Sequence, residues 1–564
     1  MQTGDHQGAE AGNDGATEAG FQRALTAWRD LLGDDRVVTG RVVLDRYGRT
    51  TGGGDPTSSS VALLPDHAEE VKGTVAIASQ FGLGVYPISR GRNFGYGDAC
   101  APTDGQAIVD LSRMNRIIEV NRELAYAVVE PGVTQGQLWE HLDRHCPELS
   151  MDATGAGLEA SILGNAVDRG FGHSRYGDHV QSSFNVEVVL ADGRVLETGF
   201  GHLPGAKARW VYPYGMGPLL QGLFFQSNMG IVTKIGVWLL PKPQASCAFF
   251  VSARGEGDIV ELIDRLAPLR RQGLLPSAIH VANDVRALSG RGRYPWERTD
   301  GRTPLPRDIR RQLGEESGIG AWNAFGMIEG TAGMVRQIRK AVARAMGPFR
   351  LIFISDRRIR MLRRIEGLGG NARWARGLRA KLDLVEPPYQ LLLGKPTDEF
   401  MQGVLWRVRD PIEAPATDPI ACHAGIKWVS PVLPMTGASA LEVARIIEPI
   451  YNRHGFDALM TFTMLNERAM VCVSNLAFDR RVHAEREQAE ACYHELNDRL
   501  EAAGYFPYRV GSMDMQRWTE RPSVFWEVVR QIKNALDPQH IISPGRYCPL
   551  PPDGAPGRKP PDGD

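Results

Sequence analysis

The 564-residue chain has no C-x-x-C pair, no uninterrupted apolar run near the ~18 residues that a bilayer crossing needs, and no surplus of either charge. Each absence excludes something. Seven cysteines (Cys100, Cys146, Cys247, Cys422, Cys472, Cys492 and Cys548) lie scattered without zinc-ligand spacing, so no metal site is expected. An odd, unclustered set in a long chain points instead to reduced thiols and a cytoplasmic protein. With 65 Lys and Arg against 66 Asp and Glu, nothing draws the chain electrostatically to nucleic acid or an anionic membrane. The N-terminus lacks the apolar core of a secretory signal, and residues 1–20 and 549–564, rich in Gly, Asp and Pro, read as disordered tails. Basic helical stretches between about residues 334 and 381 carry compensating acids and read as solvated faces.

What is present is an alternation of short strands and helices. Helical spacing covers 22–34 and 66–81, and β-rich runs cover 61–64, 107–111 and 125–130. Thr134 is placed to cap a helix over 134–143. Asp192-Gly193, between the β-rich runs 184–190 and 194–198, predicts a hairpin. Composition changes near Lys242-Pro243, and later helices are expected over 438–453 and 483–503. The pattern is that of an α+β protein with two or three domains.

Three glycine-rich segments carry the chemistry. Ser89-Arg90-Gly91-Arg92-Asn93 follows the apolar approach Leu83–Pro87, and its glycine and asparagine permit the positive φ that lets backbone N–H groups converge on an anion. Gly155–Gly170 and Gln226–Lys234 are rich in small residues that let main chain pass close to a flat ligand. In this order the chain resembles the vanillyl-alcohol oxidase and 4-cresol dehydrogenase family of flavoproteins. The matching segments include Pro87–Gly97, Met114–Asn121, Val129–Val133, Leu163–Gly170, Tyr176–His179, Gln226–Gly236, Ser430-Pro431 and Ile542–Gly545.

The resemblance implies a two-part FAD-binding domain, residues 21–243 completed by 502–548, under an α+β cap of residues 244–501. Pro87, Ser89, Arg90, Gly91, Arg92 and Asn93 would hold the pyrophosphate. Leu163, Gly164, Asn165, Gly230, Ile231 and Val232 would line the cofactor, with Arg546 in the closing segment. Tyr96, Tyr508 and Arg509 match the family's clamp on a phenolate. A phenol has a pKa near 10, and a guanidinium with two phenolic donors favours its anion. The expected reaction is hydride loss from the benzylic carbon of a para-substituted phenol to flavin N5, through a quinone methide. Oxygen or a redox protein would accept the electrons, and a homodimer is expected.

The chain also departs from the family pattern. The aspartate expected before Ser161 is Ala156, and Glu159 is the candidate replacement. A pocket tyrosine is His173. The usual flavin-tethering position is Ile426, which favours non-covalent FAD, with His423 as the alternative tether. If 426–429 is a strand, Trp428 shares a face with Ile426 and narrows the pocket. Two other functions stay open here. One is a flavin-dependent tailoring enzyme oxidising a C–N or C–O bond of a specialised-metabolite precursor. The other is an FAD-binding electron-transfer or scaffold subunit without its own substrate, against which the retained clamp argues.

Overall fold

Side-chain caps and left-handed glycines punctuate the first 240 residues. Thr134 accepts from Gln137 N and opens helix Gln135–His145, while Ser161 does the same for Ile162–Val167 through Gly164 N. Gly193, at φ +79°, turns strand Ser183–Val189 into its antiparallel partner Val195–Glu197. The computed structural model describes residues 7–53, 57–370, 372–409, 412 and 415–551. Of the expected tails, residues 1–6 and 552–564 lie outside the described residues, whereas the backbone is already helical from Gln7 to Leu32. That helix therefore starts well before the expected residue 22.

Two larger sheets occupy this first part. A four-stranded sheet runs in the order 37–39, 61–63, 107–110, 85–88, with only the first pair antiparallel. A five-stranded antiparallel sheet runs 117–121, 126–129, 231–238, 183–189, 195–197. Buried Trp28, Val71, Val75 and Val109 join the long helix to the first sheet, while Leu138, Leu163, Val186 and Ile235 fill the core of the second. The C-terminal segment returns here. Val85 N donates to Ile541 O at 2.7 Å and Ser543 N to Val85 O at 2.8 Å. Fully buried Lys533 bonds Asp537 (2.6 Å) and the carbonyls of Asn228 (2.6 Å) and Ile542 (2.9 Å), tying that return to the third glycine segment.

An eight-stranded sheet begins at Ala245, just past the composition change, and ends at Asp479. Its strands alternate with the expected period of two. Phe249, Val251, Ile279, Val281 and Ala324 enter a core shared with helices such as Ile259–Arg271 and Gly437–Arg453. The residues between them, Phe250, Ser252, His280, Ala282, Asn323 and Phe325, face a cavity. Cross-strand register places Phe250, Phe325, His280 and Thr463 in one row across that face.

Candidate active site

The cavity, about 990 Å³, lies between the glycine segments and the large sheet. That volume is at the upper end of what ligand sites enclose. Its walls include the loop Pro87–Asn93, Leu163–Asn165, Gly230–Val232 and Arg546, so every residue expected to hold the cofactor borders one space. The glycines are needed for closeness. A Cβ on Gly164 would stand 2.9 Å from Ser89 Oγ, and one on Gly230 would stand 2.5 Å from Val188 Cγ1. Gly91, at φ +62°, bends the first loop, and a Cβ there would meet that of Ala99 at 3.0 Å. A cradle of main chain packed this tightly suits a flat dinucleotide, and FAD fits it.

The loop arginines border the cavity and also reach other segments. Arg90 pairs with Glu159, and Arg92 Nη1 donates to Thr417 O at 2.9 Å. The same pairing removes Glu159 as a substitute for the missing aspartate, since it is half exposed and off the cavity wall. Ala156 is on the wall and offers only a methyl group.

Tyr96, Tyr508 and Arg509 come together although more than 400 residues separate the first from the others. The Tyr96 hydroxyl lies 3.0 Å from Ser430 Oγ, and the Arg509 guanidinium carbon lies 4.2 Å from the Tyr96 ring centre. Tyr508 is fixed through its backbone, its N donating to Ser430 O (3.2 Å) and its O accepting from Gln226 Nε2 (3.0 Å). Burial pushes both phenol pKa values up, and Arg509 opposes the rise at each. Arg509 is itself paired with Asp168 and bonds Asn93, while Arg546 takes the other Asp168 oxygen. Asn93 Nδ2 adds a bond to Asp168 at 3.0 Å. Burial alone would raise the Asp168 pKa, but the two guanidiniums outweigh it and hold the carboxyl below the ordinary range. One carboxylate thus aligns both arginines.

The other pocket positions divide. His173 is on the wall, its Nδ1 2.9 Å from Ala153 O and its ring 4.3 Å from that of His280. His280 Nδ1 lies 3.0 Å from Thr463 Oγ1, while its buried Nε2 has no partner. Burial lowers the pKa of both, and mutual repulsion lowers that of His280 further. Trp428 is on the wall as expected, donating to Phe94 O at 2.8 Å and stacking on Tyr96 at 6.3 Å. Ile426 shares its strand, Ala424–Val429, but stops short of the cavity, packed against Gly95, Met401 and Val404. Gly95 lies over both side chains and only the longer indole passes it. His423 is exposed and off the cavity wall, so the geometry does not favour it as a flavin tether.

Sequence reasoning quoted Asp168 only as part of a motif and passed over His280 and Arg286, also on the wall. Asp168 could have been suspected as the one acid inside the glycine segment Leu163–Gly170. Nothing local marked the other two. Among the described residues no group of three His, Cys, Asp or Glu side chains is arranged to hold a metal, and no helix is long and apolar enough to cross a membrane.

Residues 59–199 match the FAD binding domain family. The chain is 35% identical over 534 residues to 1'-carboxy-chondrochloren decarboxylase of Chondromyces crocatus, covering 93% of this chain and 97% of that protein. It is 32% identical over 546 residues to the 4-cresol dehydrogenase [hydroxylating] flavoprotein subunit of Pseudomonas putida, covering 94% and 96%. Among solved structures it is similar to p-cresol methylhydroxylase with substrate bound, at 30% identity and a TM-score of 0.83 over 94% of this chain and 97% of that one. Similarity to the isoeugenol complex of 4-ethylphenol oxidase from Gulosibacter chungangensis is 28% identity and a TM-score of 0.84, over 95% and 98%.

Proposed function

The chain belongs to the vanillyl-alcohol oxidase and 4-cresol dehydrogenase family of FAD-dependent oxidoreductases, and from that membership we propose that it oxidises a para-substituted phenol at its benzylic carbon. The observation that carries the reading is the convergence of Tyr96, Tyr508 and Arg509 on the cavity that the three glycine segments border.

Each group has a physical task. Arg509, oriented by Asp168, and the Tyr96 and Tyr508 hydroxyls stabilise the substrate as phenolate, whose electron density weakens the benzylic C–H bond. Bound FAD, held non-covalently by Pro87–Asn93, Leu163–Asn165, Gly230–Val232 and Arg546, supplies the hydride acceptor. Loss of hydride leaves a quinone methide. With a methyl at Ala156 and Glu159 engaged by Arg90, the His173 and His280 pair offers a base on the wall. Burial keeps both rings neutral near pH 7, so an imidazole nitrogen can take the proton released when water adds to the benzylic carbon. Trp428 closes the space beside the phenol ring.

By the same reading, residues 21–243 and 502–548 form the cofactor domain beneath a cap of 244–501. Oxygen or a redox protein is the terminal acceptor, and the working form is a cytoplasmic homodimer. A second reading, oxidation of a C–N or C–O bond in a larger precursor, draws support from the cavity's extension past the clamp to Gly290 and Ser317–Ile319.

Anaerobic titration of the holoprotein tests both. The proposal expects 4-ethylphenol or vanillyl alcohol to bleach the flavin, and Tyr508→Phe to slow bleaching about 10- to 100-fold through one lost charge-assisted hydrogen bond, with FAD content retained. Bleaching by larger amines or ethers alone would favour the second reading. A Tyr508→Phe protein reduced at the wild-type rate would end the clamp assignment.

A further inference from the structure

Arg286, on the cavity wall, carries a charge that no neighbouring acid offsets. Arg286 stands in the first turn of helix Asp284–Ser289, which follows the sheet strand Ile279–Asn283 and is capped by Asn283 Oδ1 on Arg286 N at 3.0 Å. Among the described residues, its guanidinium bonds only Ser289 Oγ, from Nη1 at a long 3.3 Å. No ion pair among the described residues includes it, and its pKa is lowered by burial with no neighbouring charge to offset this. The acid nearest in sequence, Asp284, is turned to Arg310 at 2.5 Å, and Glu316, also on the wall, is held by Arg298 at 2.9 Å. By contrast, Arg509 and Arg546 share Asp168, and Arg407 has Glu485.

The unmatched guanidinium is also held in place. Gly403, in the turn Glu399–Leu405, comes so close that a Cβ there would stand 2.4 Å from Arg286 Nη1. Met401 and Val404 of that turn border the cavity with Arg286. A desolvated charge costs free energy unless something compensates it. A fixed, unpaired guanidinium that borders the substrate space calls for an anion arriving with the ligand.

We propose that Arg286 is an anion subsite, and that the substrate is a phenol whose para side chain ends in a carboxylate. A planar carboxylate matches the fork geometry of a guanidinium, and its single charge equals that of Arg286. A phosphate group, near two charges, would be left half neutralised. Position sets the length. Three strand residues, or roughly 10 Å, separate His280 from the end of its strand at Asn283, and Arg286 follows in the first turn of the next helix. The carboxylate is therefore several bonds removed from the ring. This inference rests on the phenol reading for the other end of the substrate.

The test uses the FAD-loaded enzyme under anaerobic conditions, with 8-(4-hydroxyphenyl)octanoate and its methyl ester as probes. Affinity is read from the shift of flavin absorbance on binding. The wild type is expected to bind the acid at least about tenfold more tightly than the ester, from one charge-assisted contact. Arg286→Gln is expected to bind the two alike, and Arg286→Lys to recover part of the preference, both with wild-type FAD content. Equal affinities in the wild type, which need no variant to measure, would overturn the subsite, as would an undiminished preference in Arg286→Gln. Failure of 4-ethylphenol to bleach the wild-type flavin would count against the phenol reading alone, because the acid–ester contrast is read from binding.

Discussion

Replacing Asp168 with asparagine removes one negative charge from between two guanidiniums and keeps the side chain's shape. Asp168 is 4% exposed and Arg509 8%, so solvent does little to screen them. At an effective dielectric of about 20, each carboxylate–guanidinium pair at contact is worth about 4 kcal/mol, or about 8 for the two. Relief of the carboxylate's own desolvation returns several kcal/mol. The net expected loss is about 3–5 kcal/mol, in the range found when one member of a buried pair is removed. Urea unfolding of the holoprotein, followed by tryptophan fluorescence, measures it. The pH dependence identifies the source. Because the folded-state pKa of Asp168 is depressed, the stability it confers is complete above the unfolded carboxylate value of about 4. It is lost as pH falls through the folded value. The gap between wild type and Asp168→Asn should therefore be widest near pH 7 and shrink below about pH 4. A gap under about 1 kcal/mol at pH 7, or one that does not change with pH, would refute the reasoning.

Two further perturbations probe the frame around the site. Gly95→Ala sets a Cβ 2.4 Å from the Trp428 ring at a φ of +76°, and should cost about 2–5 kcal/mol from the left-handed backbone and the displaced indole. Urea titration reads the loss directly, and an unchanged midpoint would mean that Trp428 is not wedged against Gly95. Lys533→Met leaves Asp537 buried without its partner and two carbonyls without a donor, at about 3–5 kcal/mol. The expected signs are faster protease cleavage within 537–551 and weaker FAD retention, whereas wild-type resistance would show that the return segment is held by something else.

Much of this was legible in the chain because it is encoded locally. The hairpin at Asp192-Gly193, the cap at Thr134 and the three glycine segments depend on residues within a few positions of each other, and each formed where expected. The clamp was legible through resemblance, since residues 96 and 508 give no local hint of proximity. What escaped depends on long-range pairing. Arg90 and Arg92 carried the right charge for a phosphate loop, yet Glu159 and the Thr417 carbonyl compete for them across 69 and 325 residues. Ile426 had the right strand parity, but parity sets a face and not a reach, and Gly95 with its neighbours covers it. The setting of Arg286 is equally non-local, since Asp284 and Glu316 turn to Arg310 and Arg298 instead.

The seam between Val85 and Ile542 has a bearing on biosynthesis. Arg509, Ser543 and Arg546 complete a chamber whose floor was translated hundreds of codons earlier. Until these residues leave the ribosome the nascent polypeptide presents that floor as an open tray, with Asp168 lacking first both of its cations and then Arg546. Closure of the chamber thereby waits on a segment made long after its floor, so a chain cut between 509 and 546 would leave Asp168 with one cation in place of two.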